Sequence, residues 1–450
     1  MSEPTEPPMD PARSPLLTDL YQLTMVDSYL QRGMQGTASF ELFSRKLPPG
    51  HGFYLASGVE AAVDWLEGLR FGDEELAWIR DCGHFRPGLA DELAGLRFTG
   101  HVEAVPDGTV LFPQEPILRV TAPLPEAQLV ESRLMNLVHL HTLLASKAVR
   151  AVLAADGSHL VDFGMRRAHG AEAAMAAARG AWIAGYAGTA TCLAGAEYGI
   201  PTVGTMAHSY VLAFDDEREA FRAFAESHPE NVTLLIDTYD TLEAAHKVVE
   251  LAQEGVPVQG VRIDSGDLAE LARQVRGILD AGGQPDIRIL ASGSLDEHEV
   301  ARLRAAGAPI DGFGLGTLID TAADQPYLDM AYKLHEYRGE PRRKRSAGKL
   351  HWPGRKQVRR HYRDGTACGD TLCLSDEQLP GEPLLETVME QGRRSRPAEP
   401  LARIRERVSA GLAALPAGCR RLDARPEDAY PLEISERLRT LTEATDRQPH

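Results

Sequence analysis

Six short apolar runs, each ending in polar or glycine residues and most followed by a helical pattern, predict an incomplete or distorted α/β barrel of parallel strands over residues 151–337. The later runs recur about every 20 to 30 residues, the length of one βα unit. Six units over roughly 180 residues are too few for a full eight-unit barrel, which needs ~250. An open doubly wound sheet is the fallback.

The elements follow in order along the chain of 450 residues. Residues 1–15 carry five prolines and three acids, which offer nothing to bury, so a disordered tail is expected. That start has neither the basic residues nor the apolar stretch of a signal or transit peptide. Residues 16–150 mix both signals and read as an α+β domain: Asp19–Leu30 is helical, while Thr37–Phe43 and Leu96–Glu103 are extended. Val110–Val120 is broken by Pro113 and Pro116. Glu131–Ala155 is a long helix, with Leu134, Leu137, Val138, Leu144, Ala148 and Val152 spaced mostly three and four apart.

The six runs are His159–Phe163, Pro201–Gly204, Val232–Asp237, Gln259–Asp264, Ile287–Ala291 and Ile310–Phe313. Asp240-x-x-Glu243 and Ser294-x-x-Glu297 look like capping boxes opening two of the helices. Past Tyr337 the pattern ends, and residues 338–450 form a C-terminal segment. Arg338–Arg363 holds eleven Lys/Arg against the single acid Glu340. Gln391–Pro400 reads as a loop, and Leu401–Leu412 and Leu432–Thr442 as helices.

The 48 basic and 65 acidic residues leave a formal charge of −17, which argues against a general nucleic-acid binder. An anionic substrate must then be held by local arginines. The five cysteines are odd in number and scattered, unlike a secreted disulfide framework. No apolar run approaches the ~20 residues of a membrane span. A cytoplasmic protein is expected.

In parallel barrels the chemistry sits where strands end. Here those ends carry Asp162 to Arg167, Gly204 to Ser209, Asp237 to Asp240, Arg262 to Asp267, Ser292 to Ser294 and Gly314 to Thr317. Gly293, Gly314, Gly316 and Thr317 lie in two late loops that suit a phosphate cradle at helix N-termini. Arg166 and Arg262 offer guanidinium forks for carboxylate or phosphate, and His208 a group for proton or phosphoryl chemistry. Taken singly, these are a surface ion pair, a structural histidine, helix caps and a weak Gly-x-Gly; their shared placement at strand ends raises them above that. The third glycine of a dinucleotide fingerprint is missing, as is a Gly-x4-Gly-Lys-Ser/Thr loop. The Cys368-x4-Cys373 pair beside His361 lacks zinc spacing, and Arg342–Arg345 reads as a solvated face.

Leu17-Thr-Asp-Leu-Tyr-Gln-Leu-Thr-Met25 resembles the opening signature of the nicotinate phosphoribosyltransferases, which have the type II phosphoribosyltransferase fold. So do Asp162-Phe-Gly-Met-Arg-Arg167, Gly204-Thr-Met-Ala-His-Ser209, Val261-Arg-Ile-Asp-Ser-Gly-Asp-Leu268 and Gly314-Leu-Gly-Thr317. Ser346–Lys349 and Pro353-Gly-Arg-Lys-Gln357 are similar to the family's motif after the barrel. From Cys368 to His450 no motif matches. The resemblance implies a barrel paired with a second domain built from the N-terminal segment and later chain. It also implies a homodimer that condenses nicotinate with 5-phosphoribosyl 1-diphosphate to nicotinate mononucleotide and pyrophosphate. ATP would be hydrolysed to ADP and phosphate through a phosphohistidine, with Mg²⁺ required. Carried over residue by residue, His208 matches the phosphorylated histidine; Tyr21, Thr205 and Arg262 match nicotinate-binding positions; and Thr317 matches a contact to the phosphoribosyl donor. Arg166 lies in the motif near the substrate. A flat ring bearing a carboxylate wants an aromatic face, from Tyr21 or Phe163, and a fork, from Arg166 or Arg262. Asp264 is placed to stabilise an oxocarbenium-like sugar.

Three other readings compete. A nicotinamide phosphoribosyltransferase shares fold and donor, but the opening signature and the Pro-Gly-Arg-Lys-Gln motif favour the acid. A catalytically silent, nucleotide-sensing barrel must explain the co-located His, Arg and Asp groups. A Schiff-base aldolase needs a lysine inside the ring, where the barrel region offers only Lys247 in a helix and Lys333 beyond the last strand.

Overall fold

The computed structural model describes residues 9–346 and 351–447. It divides the chain into two compact units, one holding the chain up to Leu143 and again from Tyr327, the other Leu144–Pro326. The division falls inside the helix Glu131–Ala155, ahead of the expected bound at residue 150, because a continuous apolar helix carries no boundary signal. Leu134, Val138, Leu144 and Ala148 are all buried, as their spacing predicts. This helix is long and apolar enough to cross a membrane, but 78% of its most apolar window is buried within the protein.

The first unit is built on an antiparallel seven-stranded sheet. In spatial order its strands are Glu340–Pro341, Met330–Tyr337, Thr37–Ser44, Pro116–Pro123, His101–Ala104, Glu386–Glu390 and Arg393–Arg394. Three strands from the N-terminal segment thus form the centre of one sheet, flanked on each side by two strands from the chain after the barrel. Val110–Val120 is broken as expected, into the strands Val110–Leu111 and Pro116–Pro123, and Pro116 is the first residue of the second, a position that loses no ladder bond. A four-stranded sheet joins Glu382–Pro383, Lys356–Arg363, Thr366–Leu374 and Leu432–Ile434. That last strand occupies the start of the expected helix Leu432–Thr442: it pairs in parallel with Asp370–Leu372, and the helix begins only at Glu436. Ser346–Lys349 falls mostly outside the described residues, as does the tail up to residue 8. From Asp10 the chain forms a turn, and Ser14 is buried with its hydroxyl on Glu75 at 3.0 Å, so the expected tail ends earlier than residue 15.

The second unit is a curled parallel sheet of six strands: β1 (His159–Asp162), β2 (Gly188–Thr189), β3 (Thr233–Leu235), β4 (Gly260–Ile263), β5 (Arg288–Ser292) and β6 (Gly312–Leu315). Their spatial order is β2-β1-β6-β5-β4-β3, so the first and last strands of the barrel lie side by side. Five strands match expected runs. The sixth does not: Pro201–Gly204 makes only a single bridge, Thr202 to Thr189, and β2 takes the place in the sheet. Its two residues are too short and too glycine-rich to show a strand pattern. Between Thr202 and β3 the sheet does not close, which makes it an incomplete barrel. Asp240 caps its helix as expected, accepting from Leu242 and Glu243 N–H at 3.0 Å each. Ser294 does not; Asp296 caps the helix Glu297–Ala305, and Glu297 turns into the core.

Candidate active site

Every strand of the second unit ends toward the same set of polar groups. β1 leads into Phe163, whose N–H donates to Leu315 O of β6 at 2.6 Å, and then into a single 3-10 turn, Met165–Arg167. The Phe163 ring lies on Gly314, where an added Cβ would come within 2.4 Å of Cδ2. Gly316 likewise passes the Phe163 carbonyl, with a Cβ-to-oxygen distance of 3.0 Å. Both glycines are therefore demanded by packing, whether or not a phosphate binds there. Gly293, at φ +90°, passes even closer to the Asp264 carbonyl, 2.0 Å from a Cβ.

Arg262, on β4, is the centre of the arrangement. Its Nη1 donates to Thr205 Oγ1 at 2.8 Å and its Nη2 to Met206 O at 3.3 Å, while its guanidinium carbon stands 5.8 Å from the Phe163 ring centre. Burial lowers its pKa, against the opposing pull of Asp264 and Asp237, and exposed Arg166 is close enough to push the same way as burial. A guanidinium and an aromatic face thus meet in one space, with the charge of Arg166 near enough to act on Arg262. His208 opens a short helix, His208–Leu212, and its Nδ1 lies 3.1 Å from Thr238 Oγ1.

The acids form a second cluster. Asp237 Oδ2 accepts from Asp264 N–H at 3.0 Å and from Ser265 Oγ at 2.6 Å; Asp264 Oδ1 accepts from Ser292 Oγ at 2.5 Å. Asp237 Oδ1 is buried and meets no donor among the described residues. No group of three His, Cys, Asp or Glu side chains is gathered as a metal cage among the described residues. Mg²⁺ asks for less: one or two carboxylates, with substrate oxygens and water completing its shell. Asp237, with its orphaned oxygen, and Asp264 fit that demand.

Of the residues singled out from sequence, Phe163, Arg166, Arg262, Asp264, Gly293, Gly314, Gly316 and Thr317 lie at strand ends of the second unit, whereas Thr205 and His208 lie on the loop after the single bridge at Thr202 and on the helix it leads into. Thr317 opens a one-turn helix, Thr317–Asp320, and is exposed. Tyr21 lies in the first unit on the helix Leu20–Gln31; it is 50% exposed and borders a surface hollow with Arg45, Glu131 and Lys333. Sequence reasoning quoted Asp162, Asp237, Thr238 and Ser292 as strand-end groups without assigning them roles. Asp320 it missed altogether, since an acid one helical turn beyond a strand looks like any helix residue.

Residues 16–139 match the nicotinate phosphoribosyltransferase N-terminal domain, 158–338 the nicotinate phosphoribosyltransferase family, and 380–442 the nicotinate phosphoribosyltransferase C-terminal domain. The last match gives a family assignment to a segment in which no motif was legible. A nicotinate phosphoribosyltransferase of Mycobacterium tuberculosis is 49% identical over 427 residues, covering 94% of this chain and 92% of its own. One of Bacillus subtilis is 38% identical over 377 residues, 81% of this chain and 77% of its own. The crystal structure of human nicotinic acid phosphoribosyltransferase superposes with a TM-score of 0.84 at 29% identity, over 95% of this chain and 99% of that one. The chain belongs to the nicotinate phosphoribosyltransferase family.

Proposed function

We propose that this site condenses nicotinate with 5-phosphoribosyl 1-diphosphate, giving nicotinate mononucleotide and pyrophosphate for pyridine nucleotide synthesis, with ATP hydrolysis coupled through His208. The observation that carries the reading is Arg262, tied to Thr205 and lying over Phe163. A pyridine ring against Phe163 would bring its 3-carboxylate to the guanidinium fork, with Arg166 nearby to add charge. Tyr21, from the opening signature, is assigned to nicotinate binding on the family resemblance. The ring nitrogen attacks C1 of the ribose as the C1–O bond to pyrophosphate breaks. Asp264 faces the positive charge that develops on the sugar. Mg²⁺, held by Asp237 and Asp264, would neutralise charge on the departing pyrophosphate. The turns at Gly293 and at Gly314 to Thr317 are assigned to the donor's phosphates.

With Nδ1 engaged by Thr238, Nε2 is the nitrogen of His208 left to accept a phosphoryl group from ATP, forming the P–N bond as ADP leaves. Water later releases phosphate. The reading places the enzyme in the cytoplasm as a homodimer, with ligase and glycosyltransferase chemistry combined. The test is product formation from nicotinate and the donor with Mg²⁺, with and without ATP, against nicotinamide as control. Nicotinate mononucleotide that rises with ATP is expected, and its ATP-stimulated part should vanish in His208→Ala. Full stimulation in that variant would refute the histidine's role, and turnover of nicotinamide in place of nicotinate would refute the substrate.

A further inference from the structure

We propose that Asp162 and Asp320 share one proton beneath the site, and that this pair holds the Phe163–Arg166 turn against the Gly316–Thr317 turn while sparing the site a second negative charge. The role in substrate binding rests on the functional reading above; the pair itself does not.

Both carboxyl groups are enclosed, Asp162 at 1% and Asp320 at 4% exposure. Asp162 ends β1 and has two donors of its own: Gly164 N–H at 2.9 Å to Oδ1 and Thr189 Oγ1, from β2, at 2.5 Å to Oδ2. Asp320 ends the single turn after β6, its N–H on Gly316 O at 3.0 Å. Its carboxyl and that of Asp162 both lie against Gly164, close enough for a proton on one to bond the other, and no donor reaches its buried Oδ2 among the described residues. A Cβ on Gly164 would lie 2.1 Å from the Asp320 carboxyl carbon, so the turn carrying Phe163 and Arg166 rests directly on this acid.

Two buried carboxyl groups in contact cannot both ionise at neutral pH. The donors decide which one does. Asp162 has two and keeps the charge; Asp320 has none among the described residues and keeps the proton, donating it in a hydrogen bond to Asp162. Burial first, and then the Asp162 charge, push Asp320 up to about 9. Among the described residues no cation is paired with either acid. The buried phenol of Tyr186 feels both acids and Glu297, and Glu297 is already matched by Lys147 at 2.7 Å and Arg150 at 2.8 Å. Loss of the shared proton would set two carboxylates against each other under the turns that carry Arg166 and Thr317. It would also add a charge below a site meant for two anionic substrates.

The experiment uses the full chain. Michaelis constants for nicotinate and for 5-phosphoribosyl 1-diphosphate are measured from pH 7 to 10 in the parent and in Asp320→Asn, whose amide donates to Asp162 and cannot ionise. The parent's constants should rise about tenfold per pH unit above the pair's upper ionisation, with kcat moving less, and the variant's should stay within about twofold. An equal rise in both proteins would overturn the proposal. The parent-minus-variant infrared spectrum supplies a readout independent of turnover: the carbonyl band of a protonated carboxyl should be present at pH 7 and fade with a midpoint near 9. Its absence at pH 7 would overturn the pair, whereas its presence in a protein that does not turn over nicotinate would support the pair and count against the substrate assignment alone. If Asp320→Asn fails to fold, Thr189→Val, which strips one donor from Asp162, should move the parent's alkaline midpoint upward; an unmoved midpoint would overturn the proposal.

Discussion

Replacing Arg262 by lysine keeps the charge and removes the fork, and the structure sets the size of the loss. The guanidinium holds Thr205 at 2.8 Å and Met206 O at 3.3 Å, and a bound nicotinate carboxylate would take its remaining N–H groups. A lysine ammonium is a point charge that cannot serve the loop and the ligand from fixed positions together. Hydrogen bonds to charged groups are worth about 1.5–3 kcal/mol each, and partial burial leaves this one little screened by water. Loss of one bond to the ligand and weakening of one to the loop come to about 3 kcal/mol. At 1.4 kcal/mol per factor of ten, that is roughly a 100-fold fall in kcat/KM for nicotinate. The assay is initial rate against nicotinate with saturating donor and ATP. Any residual use of nicotinamide, which brings no carboxylate, should fall by about tenfold or less. Thr205→Val isolates the loop anchor and should cost about 1 kcal/mol alone. Because both changes break the same bond, the double variant should lose less than the sum of the singles. An Arg262→Lys enzyme within about threefold of the parent for nicotinate would refute the claim that this fork binds the carboxylate.

Gly314→Ala drives a methyl to 2.4 Å from the Phe163 ring, which must then move by about 1 Å; we expect a 10- to 100-fold fall in kcat/KM with a modest loss of thermal stability, and parent-like behaviour in both would show that the ring position is not used. Glu297→Ala takes the buried carboxylate from Lys147 and Arg150, which are 3% and 6% exposed, and leaves Lys147 paired with Asp324 at 2.6 Å; it should cost about 3 kcal/mol in urea unfolding. The Glu297 carboxyl is pulled below its ordinary value: burial opposes ionisation, but Lys147 and the bonds from Lys147 and Arg150 overcome it. A depressed acid contributes stability that is present above its unfolded value of about 4.5 and is lost as pH falls through the lower folded value. The parent should therefore lose stability more steeply than the variant in that acid range, and parallel curves would refute the pairing.

The sequence made the barrel legible because a buried parallel strand writes a compact apolar run, and five of the six strands did so. It concealed β2 because Gly188 and Thr189 hold their place through backbone pairing with Val161 and Asp162 and one buried hydroxyl, with no apolar side chain to write a pattern. Capping shows the same limit. Asp240 was readable because the cap is local, whereas Ser294 and Asp296 both satisfy local rules and only the packing of Glu297 against Lys147 decides between them. The site divides along similar lines. Arg262 and Asp264 stand at the end of β4, where position along the chain predicts position in space, whereas the run before His208 forms only a bridge and a loop carries the histidine to Thr238. Asp320 meets Asp162 only because β6 closes beside β1, a pairing between elements some 150 residues apart that no spacing rule can supply.

The open edge of the barrel explains why so much chemistry gathers at one place. A complete ladder from Pro201–Gly204 to β3 would bind the loop Gly204–His208 through backbone bonds, which are indifferent to side chains and ligands. In their place stand three side-chain contacts across the gap: Asn231 Nδ2 to Gly204 O at 3.1 Å, Arg262 to Thr205 and Met206, and Thr238 to His208. Each comes from β3, β4 or a residue flanking them, and each ends on a loop residue within or beside the proposed ring and phosphoryl sites. A loop held this way opens at lower cost than a strand in a sheet, because fewer bonds break together. Its position also depends on what Arg262 and His208 are bound to at the moment, since a carboxylate or a phosphoryl group competes for the same donors and acceptors. In the closed part of the sheet, between β1 and β6, a ligand could not exert that leverage: the ladder and the buried Asp162–Asp320 contact fix the geometry first. The arrangement therefore pairs a rigid wall, set by backbone and buried acids and carrying Phe163 and Arg166, with a yielding one set by side chains, where Thr205, His208 and Arg262 stand.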